Sequence, residues 1–108
     1  MVRRREVSIG PDRRLRFTIE LERGRPRSWA VQLEWYDPEE GRWVWGARYD
    51  TSGGTPHRDR NRIAAHEAVD LPRDPGRAAR VAEMDLARRA EEYIEAYRAA
   101  KAQGKEGW

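Results

Sequence analysis

The chain has 108 residues, enough for one domain around one modest core. Hydrophobic residues make up 38% and charged residues another 38%, which is polar for a globular protein, while the net charge of +3 is small. The absence of cysteine excludes disulfides and thiolate metal sites, and no apolar run approaches the length of a membrane span. The basic start Met1-Val2-Arg3-Arg4-Arg5 is not followed by the hydrophobic region of a signal peptide. The expectation is a cytoplasmic protein with no membrane partner.

Taken in chain order, an irregular strand is expected over Arg4 to Ile9, closed by Gly10-Pro11-Asp12. Three segments then alternate with period two, the mark of strands with one face in a core and one in water. The first places Leu15, Phe17, Ile19 and Leu21 on one face; the second, Trp29, Val31, Leu33 and Trp35; the third, Trp43, Trp45, Ala47 and Tyr49. Glu22 to Arg27 and Asp37 to Gly41 supply the turn residues between them. Residues 51–73 have little periodicity. They read as a loop with a short strand around His57 to Ile63 and a turn at Leu71-Pro72, or with a brief helix over Arg62 to Val69.

From Asp74 the period changes. Asp74-Pro75 is an N-cap followed by a proline that needs no backbone N–H. Ala79, Ala82, Leu86, Ala90, Tyr93, Ile94 and Tyr97 then share one stripe of a helix that runs to about residue 103, with a tail over 104–108. Asp85 with Arg89 and Arg88 with Glu92 are expected on its wet side. The expected architecture is a single α+β domain: a meander of three or four antiparallel strands over about residues 3–50, covered on one face by one C-terminal helix. The tryptophans of the strands are expected beneath that helix.

The basic residues are almost all arginine, with Lys101 and Lys105 the only lysines, and residues 1–30 hold nine arginines against four acids. Arginine forks match phosphates and stack on bases. Arg14, Arg16 and Arg60 together with Tyr36 are therefore candidates for gripping RNA or DNA. Cross-strand pairing of Arg16 with Gln32 or Glu34 is the alternative use of these charges.

Chemistry concentrates where the third strand ends. Arg48, Tyr49 and Asp50 lead into the turn Thr51-Ser52-Gly53-Gly54-Thr55-Pro56, and then into His57, Arg58 and Asp59. On extended backbone His57 and Asp59 point to the same side. His57 can act as general acid–base near neutral pH, Asp50 or Asp59 can orient its ring, and Arg48 and Arg58 can balance charge on a phosphate. That set suits metal-independent cleavage of RNA. The structural alternative is a surface ion-pair cluster with His57 capping a turn. His66 adds a third metal-ligand type to His57 and Asp59, but the spacing His-x-Asp-x6-His fits no established zinc pattern. His66 reads as an exposed helical histidine, and neither metal nor cofactor is expected.

An Arg48-Tyr49-Asp50 strand end, a small-residue turn, a His57-x-Asp59 segment and a C-terminal helix resemble a group of small prokaryotic proteins with an Arg-Tyr-Asp…His strand–turn motif. The plan is similar to the toxins of TumE-type toxin–antitoxin pairs, although those tend to carry two histidines where this chain has His57 and Asp59. The resemblance implies an RNA- or nucleotide-directed activity and an antitoxin as protein partner. The alternative is a non-catalytic binding module, or a small subunit of a larger protein or nucleoprotein complex.

Overall fold

The computed structural model describes residues 1–52 and 54–108; Gly53, half of the expected Gly53-Gly54 turn, lies outside the described residues. Six strands form one antiparallel sheet in sequence order: β1 (Val2–Gly10), β2 (Arg13–Glu22), β3 (Arg25–Asp37), β4 (Arg42–Asp50), β5 (His57–Arg60) and β6 (Ala64–Ala68). Two helices follow, α1 (Pro75–Arg88) and α2 (Ala90–Ala102). The α+β class is as expected, but the meander has six strands where three or four were expected. β5 falls within the short strand expected around His57 to Ile63, and β6 takes the place of the brief helix weighed over Arg62 to Val69; neither has apolar alternation, because their side chains are polar or small. Arg58 and Arg60 are neutralised by Glu67, so this part of the sheet closes by ion pairing instead of by hydrophobic burial.

Local chemistry accounts for the turns and the helix start. The β2–β3 connection has Arg23 at φ 53° and Gly24 at φ 77°, the paired left-handed residues of a two-residue hairpin that matches strand twist. The Asp74 side chain accepts from the Arg77 N–H at 2.9 Å and caps α1. The single helix expected over 74–103 is interrupted at Arg89, whose backbone (φ −105°, ψ 19°) leaves helical geometry for one residue. Its side chain reaches both Asp85 and Glu92 across the bend, so Glu92 pairs with Arg89 where Arg88 was expected. The bend lets α1 lie on β2 and β3 while α2 turns onto β4.

The helices bury one face of the sheet. Leu15, Phe17, Val31, Leu33 and Tyr49 pack with Ala82 and Leu86, and a second cluster joins Trp35 and Val44 to Ile94 and Tyr97. Trp43 and Trp45 were expected here and are not. Leu33 pairs with Ala47 but Glu34 pairs with Trp45, so Gly46 is an extra residue on β4 and the alternation changes phase across it. Val44 takes the inward position opposite Trp35, and both outer tryptophans turn to the other face. Glycine is required at this bulge: a Cβ on Gly46 would lie 2.7 Å from Cζ3 of Trp35.

Candidate functional site

Among the described residues no helix covers the second face of the sheet, and its side chains come from alternate positions of the same strands that build the core. At one end Tyr36, 41% exposed, meets Trp43 edge-on with ring centres 6.0 Å apart. The Arg14 guanidinium lies 4.0 Å over the Trp43 ring, and its Nε donates to Glu34 Oε1 at 2.7 Å. Gln32 donates to the other oxygen of Glu34, and Arg16 stands between Glu34 (3.6 Å) and Glu6 (3.5 Å). Arg16 thus makes the carboxylate pairing weighed from the sequence while still flanking open space. Between Arg16 and Arg48 the face sinks into a concavity of about 360 Å³, walled by Thr18, Ser28 and Asp50 with Ala30 among its lining.

The expected catalytic group lies beside this concavity. The β4–β5 register sets Arg48 opposite Asp59 and Asp50 opposite His57, so four chemically active side chains meet on one face. Arg48 Nη2 donates to Asp59 Oδ2 at 3.1 Å, and its Nε lies 3.2 Å from Asp50 Oδ2. Asp50 Oδ1 accepts from the Ser52 N–H and hydroxyl, which fixes the strand end as a turn. His57 is 7% exposed, with Nε2 at 2.9 Å from Asp50 Oδ1 and 3.6 Å from Asp59 Oδ2. Its Nδ1 lies 3.2 Å from the Thr55 carbonyl oxygen. A carbonyl only accepts, so this contact is a hydrogen bond when Nδ1 carries the hydrogen. Nε2 then faces the carboxylates without the alignment of a hydrogen bond to either.

His66 was expected on an exposed helix and instead belongs to β6. The β5–β6 ladder pairs Arg58 with Glu67 and Arg60 with Ala64, so Ala65 and His66 together oppose Asp59 in a bulge. His66 takes φ 54°, and its backbone N–H donates to Asp59 Oδ1 at 2.7 Å. The bulge swings the ring to 4.6 Å from that of His57, centre to centre. Burial pushes the Asp59 carboxyl up, but the His66 N–H and the Arg48 guanidinium outweigh it and hold the group below the usual carboxylate range.

Two expected site residues are elsewhere. Arg58 and Arg60 alternate with His57 and Asp59, and therefore point to the helix side of the sheet. There Arg58 donates to Glu67 and to the Tyr93 hydroxyl, while Arg60 holds Glu67 with two hydrogen bonds. Neither is brought to His57. Asp85 also faces inward, not to the wet side: it accepts from the hydroxyls of Tyr49 and Tyr93. Burial and this carboxylate raise both phenols, and the phenols with Arg89 hold Asp85 low against its own burial.

Sequence reasoning did not place Trp43, the Arg14–Glu34 hydrogen bond or the Ser52 contacts in the site, weighing Glu34 only as a cross-strand partner of Arg16. The first had a legible signal, because a glycine inside a strand pattern marks a bulge and hence a change of phase. The other two depend on hydrogen bonds that spacing does not encode.

The arrangement defines an α+β domain with a six-stranded antiparallel sheet, helices on one face, and a polar and aromatic site on the other. The chain belongs to the family described as a domain of unknown function, DUF7718, whose family model matches residues 3–103. No curated protein and no solved structure matches it.

Proposed function

We propose that this protein binds single-stranded nucleic acid across the open face of the sheet. The observation that carries the proposal is the outward position of Trp43, edge-on to Tyr36 and beneath Arg14. Bases of any sequence stack on such aromatic platforms, each contributing roughly 1–3 kcal/mol. Arg14, Arg16 and Arg48 already hold carboxylates, so phosphates must compete with Glu34, Glu6, Asp50 and Asp59. Stacking therefore leads and charge follows, with a shallower salt dependence than an unpaired basic groove would give.

The test is titration of labelled single-stranded RNA and DNA against the full chain. Tyr36→Ala with Trp43→Ala should weaken binding at least about tenfold, a loss of about 1.4 kcal/mol, and Arg14→Ala with Arg16→Ala should weaken it less. No saturable binding, or binding indifferent to both pairs of substitutions, would remove the proposal.

A second step, cleavage of the bound strand, is supported by the convergence of His57, Asp50, Asp59 and Arg48 beside the concavity. His57→Gln should lower cleavage about a hundredfold or more. Arg58→Ala should spare the chemistry, since that residue lies on the opposite face. The toxin resemblance adds a cellular readout, arrest of growth on expression that His57→Gln relieves. Purified protein that cleaves no RNA, with or without divalent metal, and does not slow growth leaves a binding module or complex subunit in place of the nuclease.

A further inference from the structure

We propose that His57, Asp59 and His66 form a binding site for one divalent transition metal of the zinc class. Three observations converge on it.

The first is distance: one ligand atom from each of these side chains lies within 4.8 Å of those of the other two. His57 Nε2 and Asp59 Oδ2 are 3.6 Å apart. Two ligands on one tetrahedral zinc, with bonds of about 2.0–2.2 Å, lie about 3.4 Å apart.

The second is the state of His57. Its side chain is nine-tenths buried, and among the described residues Nε2 has no hydrogen-bond partner although it faces two carboxylates. With Nδ1 tied to the Thr55 carbonyl, the lone pair of Nε2 points at negative charge, an arrangement relieved by a proton or a metal cation on that nitrogen. A ligating histidine characteristically donates its other ring N–H to such a carbonyl, which fixes the tautomer.

The third is backbone. His66 sits in the left-handed region, at φ 54°, inside a strand. That conformation is costly for a residue with a side chain, and costs of this kind cluster at functional sites. Here it brings the His66 ring against His57, while the backbone N–H of the same residue orients Asp59.

Nitrogen, nitrogen and carboxylate oxygen make a donor set suited to zinc and its neighbours. Arg48 donates to Asp59 Oδ2 at 3.1 Å and orients that ligand from outside, while Asp50, held by Ser52, lies 2.9 Å from His57 Nε2 and adds negative charge beside the cation. Three protein ligands leave the fourth position of a tetrahedral site for water, and the 74% exposed His66 side chain puts that ligand at the solvent boundary. Sites with three protein ligands and one open position are the catalytic type. Metal binding stands apart from nucleic-acid binding, and either can fail alone; with metal on Nε2, His57 serves as a ligand and not as the proton-transfer group of the proposed cleavage.

The chain contains only two histidines, so any histidine-held metal must use these. Full-length protein stripped with chelator and dialysed is titrated with Zn2+ by calorimetry and with Co2+ by visible absorption. The expected result is one equivalent of Zn2+, a rise in thermal midpoint, and the visible bands of Co2+ in a low-symmetry nitrogen–oxygen site. His66→Gly, which fits the observed φ and removes one ligand, should weaken Zn2+ binding at least tenfold with little loss of fold. His57→Gln should weaken it similarly. Absence of a stoichiometric site in the wild type overturns the proposal, as does Zn2+ binding that His66→Gly and His57→Gln leave unchanged.

Discussion

The two faces of this sheet are built from the same strands and obey different rules. On the helix side, burial decides: Leu33, Val31 and Leu86 are sealed from solvent, and buried polar groups pair in the Tyr49–Asp85–Tyr93 network, although the Trp35 indole nitrogen has no partner among the described residues. On the other side, aromatic and charged groups lie in contact with no helix over them among the described residues, from Tyr36 and Trp43 at one end to the buried His57 and the exposed His66 at the other. One glycine moves two large aromatics between the regimes, since the bulge at Gly46 turns Trp43 and Trp45 to the open side and brings Val44 into the core. The lesson is that aromatic content alone does not measure a core: the phase of the strand does.

Substitutions should sharpen the contrast. The largest loss is expected inside: Leu86→Ala or Leu33→Ala should cost about 2–5 kcal/mol in urea unfolding, the usual range for a buried leucine. Gly46→Ala should come next, at about 1–3 kcal/mol, because its methyl group meets the Trp35 ring and the bulge must shift. A fully tolerated alanine there would contradict the role given to the bulge.

Acid provides an intermediate test that reaches both faces. Asp59 on the open side and Asp85 on the covered side both have folded-state pKa values below the ordinary 3.8. A depressed carboxylate stabilises the fold fully above its unfolded value, and that contribution is lost as pH falls through the lower folded value. Unfolding free energy should therefore drop as the pH is taken below about 3.8, and Asp59→Asn or Asp85→Asn should each flatten that limb. An acid limb identical in wild type and both variants would remove the account of these carboxylates. The smallest effect is expected outside: Tyr36→Ala should change stability by no more than about 0.5 kcal/mol, although it weakens nucleic-acid binding.

Much of the covered face was legible from period alone. Leu15, Phe17, Leu33 and Trp35 alternate, and Leu86, Ile94 and Tyr97 recur at helical spacing, so their meeting followed from two regular patterns. Trp43 and Trp45 defeated the pattern because a single inserted residue inverts every side chain beyond it. The site divides in the same way. Arg48, Asp50, His57 and Asp59 were recognisable as a group because a strand end and the next short strand bring them together in register. His66 was not, since its place depends on a left-handed residue in a bulge, stabilised by a hydrogen bond to Asp59. Arg58 and Arg60 were assigned to the site by nearness in sequence, which alternation then overrules.

The five tryptophans give the most direct test of whether the open face is the binding face. Trp29 and Trp35 are buried under the helices, while Trp43 and Trp45 lie on the uncovered side, with Trp108 of the tail against Trp45. Indole N–H resonances of nitrogen-15-labelled protein should be followed while single-stranded RNA is added. Trp43 and Trp45 should shift and saturate together while Trp29 and Trp35 stay in place. Shifts confined to Trp29 and Trp35, or none at any indole at saturating RNA, would contradict binding on the open face.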